Sequence, residues 1–113
     1  MPAGVNEITI DKYVLYHNAK ADPGKIRIWL WSADSQVGTI DFYEGRIPVS
    51  KMFLHGDKLC FSLNYEIDRY QEIIGTLRYE TPIAINITWD ANNTITNGNI
   101  CTGLEPVGEQ EGV

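Results

Sequence analysis

Residues 68–82, DRYQEIIGTLRYETP, carry the one convincing helical pattern in the chain, and the other patterned segments are typical of strands. Four apolar side chains recur at the helical period and share one face: Tyr70, Ile73, Ile74 and Leu77. A helix this short is marginal in water on its own. We therefore predict one α-helix near residues 68–79 that packs its apolar face on a sheet.

The ends of this helix have their own signals. Asp68 is the expected N-cap, and Gln71 three residues later completes a capping box. Pro82 ends the pattern because it cannot continue a helix. Gly75 costs about 1 kcal/mol relative to alanine, which burial of the apolar face outweighs.

Residues 25–43, KIRIWLWSADSQVGTIDFY, predict a hairpin across a three-residue loop at 33–35. This loop length collects apolar side chains on one face and pairs Arg27 with Asp41 on the other, whereas a two-residue turn mixes the faces. The predicted pairs are Ile26–Phe42, Arg27–Asp41, Ile28–Ile40, Trp29–Thr39, Leu30–Gly38 and Trp31–Val37.

Further segments along the chain have strand patterns. Residues 8–10 and 13–17 predict one bent strand or two short ones, with a change of apolar parity at residues 11–12. Residues 51–54 and 58–64 predict a hairpin around Gly56-Asp57, with the pairs Leu54–Leu59 and Met52–Phe61. Residues 82–89 predict a strand. Residues 93–102 fit either a tight Asn-Gly hairpin or one strand with a bulge at Asn97-Gly98.

This order of elements predicts a mainly β (α+β) single domain spanning residues 1–113. We expect a small antiparallel curved sheet or partly closed barrel of about six to eight strands, with the helix over one mouth or face. Residues 1–6 and 105–113 are expected to be flexible. The helix between strands is also similar to the OB-fold, a likeness that licenses no function.

Two motifs carry a family resemblance. The helix has the form Y-x-x-I-I-x-x-L-R-x-E-x-P over Tyr70–Pro82, and the tail has E-P-V-G-E-x-E over Glu105–Glu111. In these pieces, and in the strand at 38–43, the chain resembles a family of small bacterial β-rich proteins that has no assigned activity. The resemblance implies a fold, and a role for the tail, but no catalytic residue. Residues 90–99 depart from that pattern by extra loop residues.

Charge and cysteine usage narrow the function classes. The net charge is −6 and Lys and Arg form no run, which disfavours nucleic acid as a partner. No segment approaches the roughly 20 apolar residues of a membrane span, and no basic-apolar leader begins the chain. Cys60 and Cys101 fit no metal spacing, so we expect free thiols and a cytoplasmic location.

The predicted hairpin places Trp29 and Trp31 on the face away from the core. With Arg27 and Tyr43 alongside, they form a possible binding surface, since Trp, Tyr and Arg dominate interface hot spots. Three interpretations stay open at this point: other parts of the chain cover the two rings, a second copy covers them, or they bind a ligand.

Residues suited to catalysis do not form a pattern. His17 and His55 lack metal-ligand spacing, and a thiolate pair of Cys60 with His55 has no third orienting group. The carboxylates have structural explanations in turns, a cap or a cross-strand pair: Asp34, Asp41, Asp57, Asp68 and Asp90. We therefore predict no catalytic, cofactor-binding or metal-binding residues.

The sequence thus favours a non-catalytic β domain that self-associates or binds a protein, peptide or small ligand through its aromatic face. The main alternative is a small enzyme or ligand carrier with an internal barrel cavity. A third possibility, an OB-like nucleic-acid binder, has aromatic residues but lacks a basic surface.

Overall fold

The computed structural model describes residues 2–17, 26–80 and 82–102. The tail at 105–113 lies outside these residues. The described chain is mainly strand with one α-helix, which confirms the predicted fold class and strand number. The strands are β1 (Gly4–Ile10), β2 (Lys12–His17), β3 (Ile26–Ser32), β4 (Ser35–Tyr43), β5 (Lys51–His55), β6 (Lys58–Glu66), β7 (Ile83–Trp89) and β8 (Ile95–Thr102); α1 (Tyr70–Tyr79) follows a short 3₁₀ turn (Ile67–Arg69).

The strands form two sheets, one in the order β1-β7-β8 and one in the order β2-β3-β4-β6-β5. Every pair is antiparallel except β4 and β6, which run parallel. Parallel neighbours need a crossover connection, and residues 44–57 supply it by running through β5 at the sheet edge. The predicted antiparallel sheet is therefore mixed at its centre.

The two sheets meet at two corners. At the first, the chain passes from β1 to β2 through Asp11, whose N–H donates to the Trp31 carbonyl at 2.9 Å. At the second, Ile95 donates to the Ser50 carbonyl at 2.9 Å. The parity change at residues 11–12 thus marks two strands in different sheets, and β1 begins at Gly4, so residues 4–6 pair with β7. The described strands form no closed barrel.

The register of the β3–β4 hairpin is confirmed from Ile26–Phe42 to Leu30–Gly38, but its turn was predicted wrongly. Trp31 pairs with Gln36 instead of Val37, so the turn has two residues, Ala33 and Asp34. Val37 is the extra residue of a bulge. A two-residue turn without a bulge would mix apolar and charged side chains on both faces of the hairpin. The extra residue of the bulge keeps the apolar side chains on one face.

The β5–β6 hairpin has the predicted pairs, and Gly56 has a positive φ of 68°, as the first residue of a type II′ turn requires. Residues 95–102 form one strand, the second of the two alternatives. Its register shift lies opposite Thr88 and Trp89, which makes Thr96 the extra residue rather than Asn97-Gly98.

The helix buries Ile73, Ile74 and Leu77 as predicted. Its capping was predicted wrongly, because no side chain caps it and the residue before it is Arg69. The 3₁₀ turn places Asp68 within the helical segment, away from the free N–H groups of α1. The buried side chains of both sheets and the helix form one core cluster: Ile10, Ile28, Leu30, Ile40, Phe42, Met52, Phe61, Leu63, Ile73, Ile74, Leu77, Ile83, Ile85, Ile87 and Trp89.

Candidate functional site

The outer face of the five-stranded sheet is the face turned away from this core. Side chains alternate between faces along a strand. On β3, Ile28 and Leu30 are fully buried in the core, so Arg27, Trp29 and Trp31 lie on the outer face. All three are partly exposed. The outer face is therefore available for contacts at the position that the sequence predicted.

A groove of about 340 Å³ runs across this face. We call it the outer groove. Its floor consists of small side chains on β4 and β6, and its sides are larger side chains on β3 and β5. The lining residues are Arg27, Trp29, Gln36, Gly38, Thr39, Phe53, His55, Cys60 and Ser62.

The parallel pairing of β4 with β6 creates the groove. Trp29 lies opposite Thr39, and Thr39 lies opposite Ser62, so two small residues follow the indole across the sheet. Phe53 on β5 pairs with Cys60 on β6. With two strands between them, β3 and β5 are about 14 Å apart. A large aromatic side chain thus stands on each side of a floor two strands wide.

One edge of the groove is fixed by an ion pair. Arg27 Nε donates to Asp41 Oδ1 at 2.6 Å, and Nη2 donates to Oδ2 at 3.2 Å. The guanidinium carbon is also 5.4 Å from the centroid of the Trp29 ring, which is cation–π distance. These contacts restrict the rotamers of both groove residues.

Cys60 and His55 both line the groove, but their arrangement does not support nucleophilic chemistry. Burial raises the pKa of the Cys60 thiol, and the Lys58 ammonium opposes that shift by less. The thiol is then protonated at neutral pH, and it lies 3.8 Å from the Gln36 carbonyl. The described residues hold no group of three side chains suited to a metal ion.

The structure brings together only part of the predicted binding surface. Arg27 and Trp29 line the groove, whereas Trp31 and Tyr43 lie on the same face outside its lining. Trp31 is opposite Lys12, and Tyr43 is opposite Glu66 at the other end of β4. Sequence reasoning missed Phe53 as a groove residue. The missing information was that the two hairpins are neighbours.

A second concavity, the helix cleft, lies between α1 and β8. It holds about 390 Å³ and is lined mainly by polar groups, and its two charged side chains, Arg69 and Glu72, pair with each other. A smaller hollow beside it is lined in part by Asn64, whose Oδ1 is buried without a hydrogen-bond partner. The cleft has one aromatic ring, Tyr65, and lacks the two aromatic side chains that stand on opposite sides of the outer groove.

In the described part of the chain, no helix has the length and apolar character needed to cross a membrane. Comparisons with models of protein families, with curated proteins and with solved structures return no match. The resemblance of the helix and tail motifs to small bacterial proteins therefore stays a prediction.

Proposed function

We propose that the chain is a non-catalytic binding domain whose ligand lies in the outer groove. The observation that carries this proposal is the pair of aromatic side chains, Trp29 and Phe53, on either side of a floor of small residues. Ligand pockets usually combine an apolar lining with a few polar groups and span about 300–1,000 Å³. A groove of about 340 Å³ suits a small planar molecule or one aromatic side chain of a peptide.

The alternatives have less support. A carrier with an internal cavity needs space between the sheets, where the fully buried Phe42 and Phe61 are packed. An enzyme with paired carboxylates needs them in a pocket, and no carboxylate is among the lining residues of the groove. A nucleic-acid binder needs a basic surface, which an acidic chain with scattered cations does not favour.

Calorimetric titration with a neutral planar probe, 2-naphthamide, tests this function. We expect saturable binding, and a Trp29→Ala/Phe53→Ala variant should bind at least about tenfold more weakly. Each aromatic contact contributes about 0.5–1.5 kcal/mol beyond area burial, and 1.4 kcal/mol is tenfold. Tyr79→Ala, at an exposed site on α1, is the matched control. Equal affinity for the double variant, with an unchanged circular dichroism spectrum, would overturn the proposal.

The proposal includes self-association and a cytoplasmic location. Leu54 and Leu59 pair at the end of the β5–β6 hairpin and are 60% and 36% exposed. They lie on the opposite face of the hairpin from Phe53, so a second copy can cover them without blocking the groove. The two free cysteines suit a reducing compartment.

A further inference from the structure

We infer that the ligand of the outer groove is a planar aromatic molecule carrying a carboxylate, and that Arg27 binds that carboxylate. This inference rests on the proposed function and specifies the chemical class of ligand. It comes from three features: the Arg27 donors that no described residue accepts from, the position of its side chain beside Trp29, and the charges of the described groove lining.

The first feature is the donor count of the guanidinium. Arginine has five N–H donors in a fixed plane. Asp41 takes one from Nε and one from Nη2. Three donors remain, and they include one on each terminal nitrogen, which point in parallel as a second fork. Among the described residues, Asp41 is the one hydrogen-bond partner of this side chain, so the second fork can receive a ligand carboxylate in bidentate geometry.

The second feature is the fixed position of this fork. The Asp41 side chain is only 2% exposed and holds the guanidinium by its ion pair, while 26% of the Arg27 side chain stays exposed. Little rotamer entropy remains to be lost when a ligand binds, which favours affinity. Because the guanidinium carbon lies 5.4 Å from the Trp29 ring centroid, a molecule with a carboxylate attached to its ring can contact both side chains at once.

The third feature is the absence of repulsion. The chain has 15 acidic residues. None of them is in the described lining of the groove, which does contain Arg27 and His55. The Asp41 carboxylate beside Arg27 is buried and directed at Arg27. An anion entering the groove therefore meets hydrogen-bond donors and no carboxylate among the described lining residues.

The test compares 2-naphthoate with 2-naphthamide, which share the ring system and differ in the charge of the substituent. We expect 2-naphthoate to bind at least about tenfold more tightly, since hydrogen bonds to charged groups are roughly twice as strong as neutral ones. Arg27→Lys keeps the charge beside Asp41 but removes the fork, so it should reduce this preference to about twofold. Lys51→Gln removes a cation from the same face outside the groove lining and should leave the preference unchanged.

A second variant does not depend on Arg27 tolerating substitution. Ser62→Asp places a carboxylate on the groove floor and should weaken 2-naphthoate far more than 2-naphthamide. Equal affinity of the two probes for the unaltered protein would overturn the anion inference while leaving the groove as a binding site. A preference that survives both Arg27→Lys and Ser62→Asp would also overturn it. Failure of both probes to bind would instead reject the proposed function.

Discussion

The two partners of the Arg27–Asp41 pair are buried to different extents, so removing one should destabilise the protein more than removing the other. Asp41 is almost completely enclosed, whereas about a quarter of the Arg27 side chain meets solvent. Removing one partner of a buried pair leaves the other charge without compensation, and that penalty dominates the loss. The penalty is larger for the partner that cannot reach water.

Arg27→Ala should therefore destabilise the protein more than Asp41→Ala does. We expect a loss of about 3–5 kcal/mol in the free energy of unfolding for Arg27→Ala, which leaves Asp41 buried and unpaired. Asp41→Ala should cost about 2 kcal/mol, since the freed guanidinium can turn to solvent. Urea denaturation measures both.

Lys12→Ala serves as the control for this comparison, because Lys12 and Asp34 form a solvent-exposed pair at 3.7 Å and such pairs contribute little. Equal losses for the two pair variants, or the reverse order, would mean that Asp41 has access to water that its burial does not suggest.

At the scale of single elements, the helix joins the two sheets into one core. Ile73, Ile74 and Leu77 pack in the same cluster as side chains of both sheets. Its polar face carries Arg69, Glu72 and Arg78, of which Arg69 and Glu72 pair with each other. The helix is thus a structural cover, and its one weakness by propensity is Gly75, which has open space around it.

Two neighbouring substitutions in α1 should have opposite effects. Ile74→Ala should lower the free energy of unfolding by about 2–5 kcal/mol, because it leaves a cavity in the core. Gly75→Ala should raise it by about 0.5–1 kcal/mol, since alanine loses less backbone entropy and the added methyl group meets no atom within 4 Å beyond its chain neighbours and the helix's own backbone. Thermal or urea unfolding followed by circular dichroism distinguishes them. A loss below 1 kcal/mol for Ile74→Ala would show that the helix is peripheral.

At the scale of the whole molecule, the exposed leucines of the β5–β6 hairpin suggest an association surface. Light scattering on a size-exclusion peak should give about twice the chain mass of 12.8 kDa. A Leu54→Lys/Leu59→Lys variant should return the monomer mass, because four like charges then face each other across the contact.

Val5→Lys is the matched control for this measurement, since Val5 is 74% exposed on β1, in the other sheet. A monomer mass for the unaltered protein at micromolar concentration would remove self-association from the proposal. It would leave ligand binding in the outer groove untouched, because that groove lies on the other side of the hairpin.

Local features of the fold could be predicted because adjacent segments determine them. The alternation of Ile26, Ile28 and Leu30 fixes the face of β3, and a one-residue slip in the hairpin would move every side chain to the wrong face. The helix position follows from the same kind of periodicity. The errors also have local causes: a bulge at Val37 substitutes for a third turn residue, and a 3₁₀ turn displaces Asp68 from the cap.

The sequence by itself determined the mainly β class, the helix, the β5–β6 pairing, the β3–β4 pairing from Ile26–Phe42 to Leu30–Gly38, and the outward position of Trp29 beside Arg27. Only the tertiary structure decided that β6 lies parallel to β4, which brings Phe53 and the small residues Thr39 and Ser62 into one groove with Trp29. The physical reason is the separation along the chain over which each effect acts. Turn geometry and side-chain alternation act between neighbours along the chain, whereas the packing of hairpins against each other depends on burying one shared core.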